Sequence, residues 1–359
     1  MARAGVSKIT GIEVKKSEAE ACRRFLAENS LLRHGYTPVR GAGTVAFSAM
    51  SIPKKALSAL KKIAPSSRAV RRAFGKIHEA PRTMKDALKG KLSAAELGLV
   101  GSSFDLLGDA AIIEVPEGLE GREKLLGEAL LRVNTSVESV FMKTGAHSGV
   151  FRSEPVKFVA GKKKKYATYR EHGCVFRIAL GEVFFSPRLS TERIRIARQI
   201  KEGECIAALF AGVGPFPIVF AKNSKMGSAV AIELNPAAVE DMRENIRANK
   251  VEGKVIPVLG DVKALAGEYA GRFDRVVMPL PKGGETFLQD AIRYAKPEGG
   301  IVHYYQFVPR ENPFDVPLGQ IEYACGMEGR RFEVLFQRRV REFAPDIIQV
   351  VVDFRVWKS

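Results

Sequence analysis

Cysteine, tryptophan and histidine are scarce in this chain. Its 359 residues include four cysteines, one tryptophan and five histidines. The cysteines stand at positions 22, 174, 205 and 325 and form no C-x-x-C pair. This spacing excludes a zinc ribbon and a disulfide framework and indicates a reducing compartment. Because the histidines are scattered, we expect no metal site.

Long hydrophobic runs are also missing. The most apolar stretch, residues 206–221, is short and contains two glycines and two prolines. It is therefore a poor candidate for a membrane span. The first 24 residues contain no apolar core of the kind that a secretion signal needs. We expect a cytoplasmic protein without a membrane segment.

Acidic residues are fewer than basic ones, and the net charge is +17. Residues 51–91 hold twelve Lys or Arg but only two acidic residues, and a second basic cluster reads GKKKKYATYR. Such an excess favours binding of a polyanion such as nucleic acid, and the tyrosines of the second cluster could stack on bases. The alternative for the net charge is that it increases solubility. The alternative for the second cluster is an ordinary surface loop.

The order of predicted elements divides the chain into three domains, 1–81, 82–182 and 183–359. The first is a small α+β unit whose basic segment is predicted to form a helix, a turn at APSSR and a second helix. The second contains a strand at 110–116 and a helix at 121–134. The segments VESVFMKTG, GVFRSEPVKFVAG, YATYREHG and CVFRIALGEVFF are predicted to form an antiparallel meander. The third alternates five apolar runs with helical patterns at 215–223, 236–249 and 284–296, with Asn235 as a helix N-cap. We therefore predict an α/β fold with a doubly wound, mostly parallel sheet, which ends in two consecutive strands that pair antiparallel at its edge.

A glycine turn follows the first strand of this third domain. The segment LFAGVGPFPIVF places Gly212 and Gly214 where a ligand approaches the sheet, beyond the carboxyl ends of the strands. The dinucleotide fingerprint G-x-G-x-x-G fails at Pro217. Glu233 ends the next strand and could accept both hydroxyl hydrogens of a ribose, and Asp261 ends the third. These features suit S-adenosylmethionine, although Glu233 could be a solvated strand end and Asp261 a helix cap.

The residues at the end of the fourth strand exclude some classes of methyl acceptor. The segment VVMPLPKGG offers no polar side chain for an exocyclic amine and no cysteine for attack on a pyrimidine carbon. A base must then come from elsewhere, and VFFSPRLSTER is the candidate. Ser190 or Thr191 is predicted to cap a helix with Glu192 in its first turn. The alternative is that Glu192 has a structural role only, in which it interacts favourably with the helix dipole or pairs with Arg188.

Several segments together resemble one known family. GVFRSE, REHGCVF, VFFSPRLSTER, LFAGVGPFPI, AIELNPAAVE, GGIVHYYQF and REFAPDIIQVVVDF occur in the order typical of the archaeal and eukaryotic type of tRNA (guanine-N1)-methyltransferase. The resemblance covers about residues 100–355. It implies a Rossmann-like class I methyltransferase domain that follows two smaller α+β domains in the chain. It also implies methyl transfer from S-adenosylmethionine to guanosine-37, beside the anticodon.

The resemblance also implies roles for individual residues. Glu192 corresponds to the general base, Arg152 to the arginine that stabilises the guanine O6, and Arg188 to an arginine that orients the substrate. The donor site would comprise Arg193, Phe210, Gly212, Gly214, Pro215, Glu233, Leu234, Asp261, Val262 and Pro279. The partner would be tRNA, held at its anticodon stem-loop and at its outer corner, by a monomer. The chain departs from the family pattern at Phe184, Ala208 and Pro279, where a tyrosine, an acidic residue and an asparagine are usual.

Three alternatives remain open. A relative in wyosine synthesis would transfer an aminocarboxypropyl group or methylate a tricyclic intermediate on the same nucleotide. A nicotinamide-dependent dehydrogenase is disfavoured by Pro217 and by the lack of an evident hydride-transfer histidine. A non-catalytic tRNA-binding protein would not need the glycine turn with its acidic partners.

Overall fold

A computed structural model describes residues 8–75, 81–101, 104–145 and 155–358. The chain forms two compact units, Met1–Pro81 and Arg82–Ser359. The predicted boundary near residue 182 lies within the second unit, so the division into three domains stays a prediction. Within the described ranges, no helix is long and apolar enough to span a membrane.

The first unit is a four-stranded antiparallel sheet, in the order β2-β3-β1-β4, with two helices. Its elements are β1 (Lys8–Lys15), α1 (Ala19–Glu28), β2 (Val39–Arg40), β3 (Thr44–Ser48), α2 (Lys54–Ile63) and β4 (Arg68–Ala73). Ile12, Cys22, Leu26 and Leu60 are fully buried between the sheet and the helices and form the core of the unit.

The prediction of a second helix in the basic segment is wrong, because Arg68–Ala73 is the edge strand β4. Tertiary pairing overrides local helix propensity here. β4 runs antiparallel to β1, and Arg68 and Arg72 both reach the buried carboxylate of Glu13 on that strand. The hydrogen bond from Arg68 lowers the pKa of Glu13, although burial opposes the shift. The strand is thus fixed by ion pairs that a helix over the same residues would not make.

The second unit begins with two small sheets. Its first elements are α3 (Met84–Leu88), α4 (Ala94–Leu99), β5 (Asp105–Leu107), β6 (Ala110–Ile113), α5 (Glu123–Val133), β7 (Ser139–Lys143), β8 (Val156–Gly161), β9 (Tyr166–Glu171) and β10 (Cys174–Ala179). The strand at 110–116 and the helix at 121–134 are confirmed. Of the predicted meander over β7 to β10, the antiparallel pairs β7–β8 and β9–β10 are confirmed. The single meander is wrong, because β8 and β9 belong to separate sheets.

A seven-stranded sheet, in the order β13-β12-β11-β14-β15-β17-β16, forms the rest. Its elements are α6 (Ser190–Ala197), β11 (Cys205–Leu209), α7 (Pro215–Asn223), β12 (Ser228–Glu233), α8 (Pro236–Asn249), β13 (Val255–Leu259), α9 (Val262–Leu265), β14 (Arg275–Met278), α10 (Leu288–Tyr294), β15 (Gly300–Pro309), α11 (Asp315–Met327), β16 (Arg330–Ala344) and β17 (Ile347–Lys358). The first five strands of this order are parallel, and β17 and β16 are antiparallel. Helices α6, α7 and α8 contribute to the core on one face and α9, α10 and α11 to that on the other. The predicted doubly wound fold is confirmed.

Helix α8 holds the β9–β10 hairpin through a ladder of polar side chains. Asn249 and Asn245 each exchange two hydrogen bonds with the main chain of β10, at Val175 and Arg177 respectively. Asp241 accepts from the amide of Ala179 at 2.6 Å. The ladder fits because four helical residues rise about 6.0 Å and two strand residues about 6.7 Å. The hairpin is thereby fixed against the seven-stranded sheet.

Candidate active site

The glycine turn has an unusual main-chain conformation. Phe210, Gly212 and Gly214 all have positive φ angles, of 54°, 56° and 85°. Glycine tolerates this region at no steric cost, whereas Phe210 is strained by about 1 kcal/mol or more. A Cβ on Gly214 would lie 2.9 Å from Met242, but one on Gly212 would meet nothing closer than 3.6 Å. The main chain at Gly212 is therefore open to a ligand.

The two prolines that break the dinucleotide fingerprint lie in the first turn of α7, which begins at Pro215. Amides of the first helical turn have no partner within the helix, so proline at 215 and at 217 removes no helical hydrogen bond. The amide of Ile218 makes the first such bond, to the carbonyl of Gly214 at 3.1 Å. The prolines thus start the helix directly after the turn.

Glu233 connects this turn to the end of β12. One carboxylate oxygen accepts from the amide of Gly212 and the other from that of Asn235, both at 2.8 Å. Each oxygen retains a second acceptor position, so a pair of ribose hydroxyls can still bind. Asn235 itself caps α8 by accepting from the amide of Ala237 at 3.0 Å, as predicted.

Asp261 is a helix cap, which was the structural alternative for it. Its Oδ1 accepts from the amides of Lys263 and Ala264, at 2.7 and 3.1 Å. The neighbouring Val262 is buried, and its carbonyl accepts from the hydroxyl of Tyr294 at 2.9 Å. A contact from Asp261 or Val262 to a bound donor stays a prediction.

Aromatic and apolar side chains lie at the same strand ends. The rings of Phe210 and Phe287 make an edge-to-face contact with centroids 4.9 Å apart, and the ammonium of Lys263 lies 4.7 Å from the Phe287 ring. Leu234 is exposed after β12. Sequence reasoning missed Phe287. This residue is 77 positions after Phe210 in the chain, and no local sequence pattern indicates that the two rings are in contact.

The loop after β14 is closed by main-chain bonds. The amide of Leu280 donates to the carbonyl of Met278 at 2.8 Å, which makes a tight turn around Pro279. The amide of Phe307 donates to the carbonyl of Pro281 at 2.9 Å and holds the loop against β15. Pro279 is half-buried and has no polar side-chain atom, so any specific contact there must involve the main chain.

Glu192 lies in the first turn of α6 and is completely buried. Its Oε2 accepts from the hydroxyl of Tyr305 at 2.7 Å and from Arg195 Nε at 3.0 Å. Its Oε1 forms an ion pair with Arg338 Nη2 at 3.1 Å but makes no hydrogen bond. The predicted cap by Ser190 or Thr191 is wrong, because Leu189 occupies the N-cap position and has no capping side chain.

Tyr305 connects Glu192 to the helix that follows the glycine turn. The ring of Tyr305, whose hydroxyl binds Glu192, lies 6.3 Å from the ring of Phe216 in the first turn of α7. A buried carboxylate with one unbonded oxygen is unusual, because desolvation of such a group is costly. The second oxygen has an ion-pair partner in Arg338 but no hydrogen bond, so it keeps acceptor positions for a further group.

Arg193 supports the segment before α6. It is buried and donates to both oxygens of Glu171, at 2.5 and 2.8 Å, and to the carbonyl of Ser186 at 3.3 Å. Its guanidinium also packs near the rings of Phe185 and Phe216. These contacts join β9, α6 and α7, and a direct contact between Arg193 and a donor stays a prediction.

Arg188 faces a cavity of about 290 Å³. It pairs with Asp105 of β5 at 2.7 Å, and Lys143, Arg341 and Phe343 also line the cavity. Burial and the nearby charge of Arg188 lower the pKa of Arg341, and Asp105 opposes the shift. Glu114 also lines the cavity and pairs with Lys143 at 2.8 Å, so the lining contains carboxylates as well as cationic side chains. Arg152, the third predicted catalytic residue, lies outside the described residues.

Comparisons with known proteins agree with this geometry. Residues 167–335 match the TRM5/TYW2 methyltransferase domain, and residues 84–164 match the TYW2 N-terminal domain. The tRNA (guanine(37)-N(1))-methyltransferase Trm5b of Pyrococcus abyssi is 33% identical over 345 residues, which cover 96% of this chain and 98% of that protein. The chain belongs to the TRM5/TYW2 methyltransferase family.

Two further members show the range of this family. The tRNA(Phe) (4-demethylwyosine(37)-C(7)) aminocarboxypropyltransferase of Methanocaldococcus jannaschii is 30% identical and covers 71% of this chain, with 98% of its own length matched. The solved complex of aTrm5 with tRNALeu superposes with a TM-score of 0.80 at 29% identity, over 96% of this chain and 99% of that one. Family membership excludes the dehydrogenase alternative but leaves the wyosine-related one.

Proposed function

We propose that this protein transfers a methyl group from S-adenosylmethionine to N1 of guanosine-37 in tRNA. The observation that carries the proposal is the buried carboxylate of Glu192, whose Oε1 is ion-paired with Arg338 but makes no hydrogen bond. Similarity to Trm5b over nearly the whole of both chains supports methyl transfer. The aminocarboxypropyltransferase, in contrast, matches only 71% of this chain.

The residues at the strand ends fit an adenosyl group. Glu233 offers acceptor positions to vicinal hydroxyls, and Phe210, Leu234 and Val262 offer apolar surface to a purine ring. The main chain of Gly212 allows close approach. When bound there, S-adenosylmethionine supplies a methyl carbon attached to a positively charged sulfur.

Glu192 would act as the general base. Guanine N1 carries a hydrogen at neutral pH, so it needs to lose that hydrogen as the new bond forms. The N1–H bond would break, Oε1 of Glu192 would take the proton, and the electron pair left on N1 would form the bond to the methyl carbon. The carbon–sulfur bond of the donor would break at the same time, its electron pair would stay on sulfur, and S-adenosylhomocysteine would leave as a neutral thioether. Negative charge that develops on O6 would be stabilised by Arg152, and Arg188 would orient the nucleotide from the cavity that it lines.

The basic first unit would bind the outer corner of the tRNA while the second unit binds the anticodon stem-loop. Lys54, Lys55, Lys61 and Lys62 all project from α2 into solvent, where they can neutralise phosphates. Both units belong to one chain, so a monomer would carry the complete set of contacts.

The match of residues 84–164 to the TYW2 N-terminal domain supports a second candidate function. In that case the protein would transfer an aminocarboxypropyl group from the same donor, or would methylate a tricyclic intermediate on the same nucleotide. The second function would require a modified guanosine as substrate.

Mass spectrometry of the product nucleoside tests these functions. Unmodified tRNA, tRNA in which guanosine-37 is replaced by another base, and tRNA that carries 4-demethylwyosine would each be incubated with enzyme and S-adenosylmethionine. We expect 1-methylguanosine on the first substrate and no product on the second. A product on the third substrate alone, or the mass of an aminocarboxypropyl group, would replace the first proposal with the second.

A further inference from the structure

A row of buried charged and polar side chains crosses the seven-stranded sheet and ends at Glu192. Arg275 donates to Glu204 at 2.8 Å and approaches Nε2 of His303 at 2.7 Å. Nδ1 of His303 lies 2.6 Å from Asp353, whose other oxygen accepts from Arg195 at 2.5 Å. Arg195 then donates to Glu192. Arg275, His303 and Asp353 are each at most 2% exposed.

The geometry fixes the direction of the hydrogen bonds. A guanidinium can only donate, so Nε2 of His303 accepts from Arg275 and Nδ1 carries the hydrogen that Asp353 accepts. Burial lowers the pKa of His303, and the positive charges of Arg275 and Arg195 add to this shift, although Asp353 opposes it. The donor at Nε2 likewise requires the neutral ring. Contacts with His303 and Arg195 hold the pKa of Asp353 at about 2 even though burial raises it.

Stability alone does not account for this row. Buried ion pairs often contribute less to folding than apolar side chains of the same volume, because desolvation offsets the attraction. Such pairs do impose one arrangement on the groups that they contain. Here Asp353 accepts two bonds from Arg195, which direct Nε of this arginine at Oε2 of Glu192.

We propose that His303, Asp353, Arg195 and Tyr305 are positioning residues that hold the carboxylate of Glu192 with Oε2 engaged and Oε1 turned toward the substrate. Tyr305 binds Oε2 from β15, and Arg195 binds it from the next turn of the same helix. A carboxylate held at one oxygen by two donors from different elements cannot rotate freely. Arg338 of β16, whose side chain is partly exposed, forms an ion pair with the other oxygen at 3.1 Å. The inference rests on the proposed role of Glu192 as the base.

A double-mutant cycle tests the inference. Asp353→Asn would be made in the natural chain and in the Glu192→Gln chain, and the single-turnover rate of methyl transfer would be measured at saturating S-adenosylmethionine and tRNA. We expect a loss of about tenfold or more in the natural chain, because the base is no longer oriented. We expect a loss of less than about twofold in the Glu192→Gln chain, where there is no base to orient. Dissociation constants for both substrates should stay within about twofold.

Asp241→Asn is the matched control, because Asp241 is also buried and paired with an arginine but belongs to the α8 ladder. It should lower the melting temperature while the transfer rate of the folded protein is retained. Equal losses from Asp353→Asn in both backgrounds, or a loss explained by weaker binding, would overturn the inference.

Tyr305→Phe keeps the inference testable if Asp353→Asn does not fold, because it removes one hydroxyl without changing the packing. It should show the same dependence on Glu192, and independence would overturn the inference as well. If Glu192→Gln alone has no effect on the rate, then the proposed base itself is wrong. That outcome is distinct from an intact base whose neighbours do not position it.

Discussion

The two halves of the seven-stranded sheet are built differently. β13, β12 and β11 are parallel strands of five or six residues, and the polar groups of this half lie beyond their ends. β15, β17 and β16 are 10, 12 and 15 residues long, and His303 and Asp353 are buried within them. Under the proposed function, the first half would present main-chain amides and the carboxylate of Glu233 to the donor, whereas side chains of the second half hold the carboxylate of Glu192.

This difference separates two tasks that an alkyl-transfer site performs. A donor with hydroxyls and a flat ring is recognised by fixed main-chain groups, which glycine and a strand end provide locally. A base needs a defined orientation in a dry environment, and only side chains from several elements can provide it. Substitutions in each half, and outside both, test this division, from the largest expected effect to the smallest.

Glu192→Gln should slow single-turnover methyl transfer by on the order of a hundredfold or more, because the amide cannot accept the N1 proton. Binding of S-adenosylmethionine and of tRNA should be retained, since the donor half is untouched. Rapid-quench measurement of the methylated nucleoside gives the rate, and isothermal titration gives the affinities. An undiminished rate would show that Glu192 is not the base and that the two halves of the sheet do not differ in the way proposed.

Glu233→Gln should weaken S-adenosylmethionine binding by about tenfold, because the neutral amide is a poorer acceptor for the amide of Gly212 and for ribose hydroxyls. The single-turnover rate at saturating donor should change little. Glu240→Gln, which makes the same change on the exposed face of α8, is the control and should bind normally. If Glu233→Gln slows the chemistry without weakening binding, the donor half also orients reacting groups.

Replacement of Lys54, Lys55, Lys61 and Lys62 by Gln should weaken tRNA binding several-fold at about 0.1 M salt. These side chains lie outside both halves of the sheet, so donor affinity should not change. The slope of log affinity against log salt concentration should become shallower, by somewhat less than one for each phosphate that is no longer neutralised. Fluorescence anisotropy over a salt series would measure it, and an unchanged slope would mean that these lysines do not bind phosphates.

The stability of the second unit should fall as the pH is lowered below about 6.5, in part because His303 is buried and neutral. The folded-state pKa of this group lies below its unfolded value, so the unfolded state binds more protons in that window. One such group contributes at most about 1.4 kcal/mol per pH unit. His303→Gln should flatten the dependence of melting temperature on pH between about 7 and 5. An equally steep dependence in the variant would show that other groups cause it.

Features with local causes could be predicted from the sequence. Helices at 215–223 and 236–249 are confirmed, since Pro215 and the Asn235 cap mark their starts and a helical apolar pattern continues from each. The sheet class followed from the alternation of strands and helices. The chemistry of the fourth strand end and the resemblance of the surrounding motif both point to Glu192, but no local pattern predicts its complete burial.

Features that depend on distant partners could not be predicted. Tyr305 is 113 residues from Glu192 along the chain, and Asp353 is 158 residues from Arg195. In the first unit, β4 was mistaken for a helix because the ion pairs with Glu13 are invisible in a local pattern. The bond from Arg193 to Glu171 likewise depends on how the β9–β10 hairpin meets α6.

The α8 ladder has a consequence for association between molecules. β10 pairs with β9 on one side only, and an uncovered strand edge invites another chain to add a strand to it. The outward amides of Val175, Arg177 and Ala179 donate to Asn249, Asn245 and Asp241 respectively. A polar helix face thus closes an edge that would otherwise be open to intermolecular β-pairing, and it does so without a further strand.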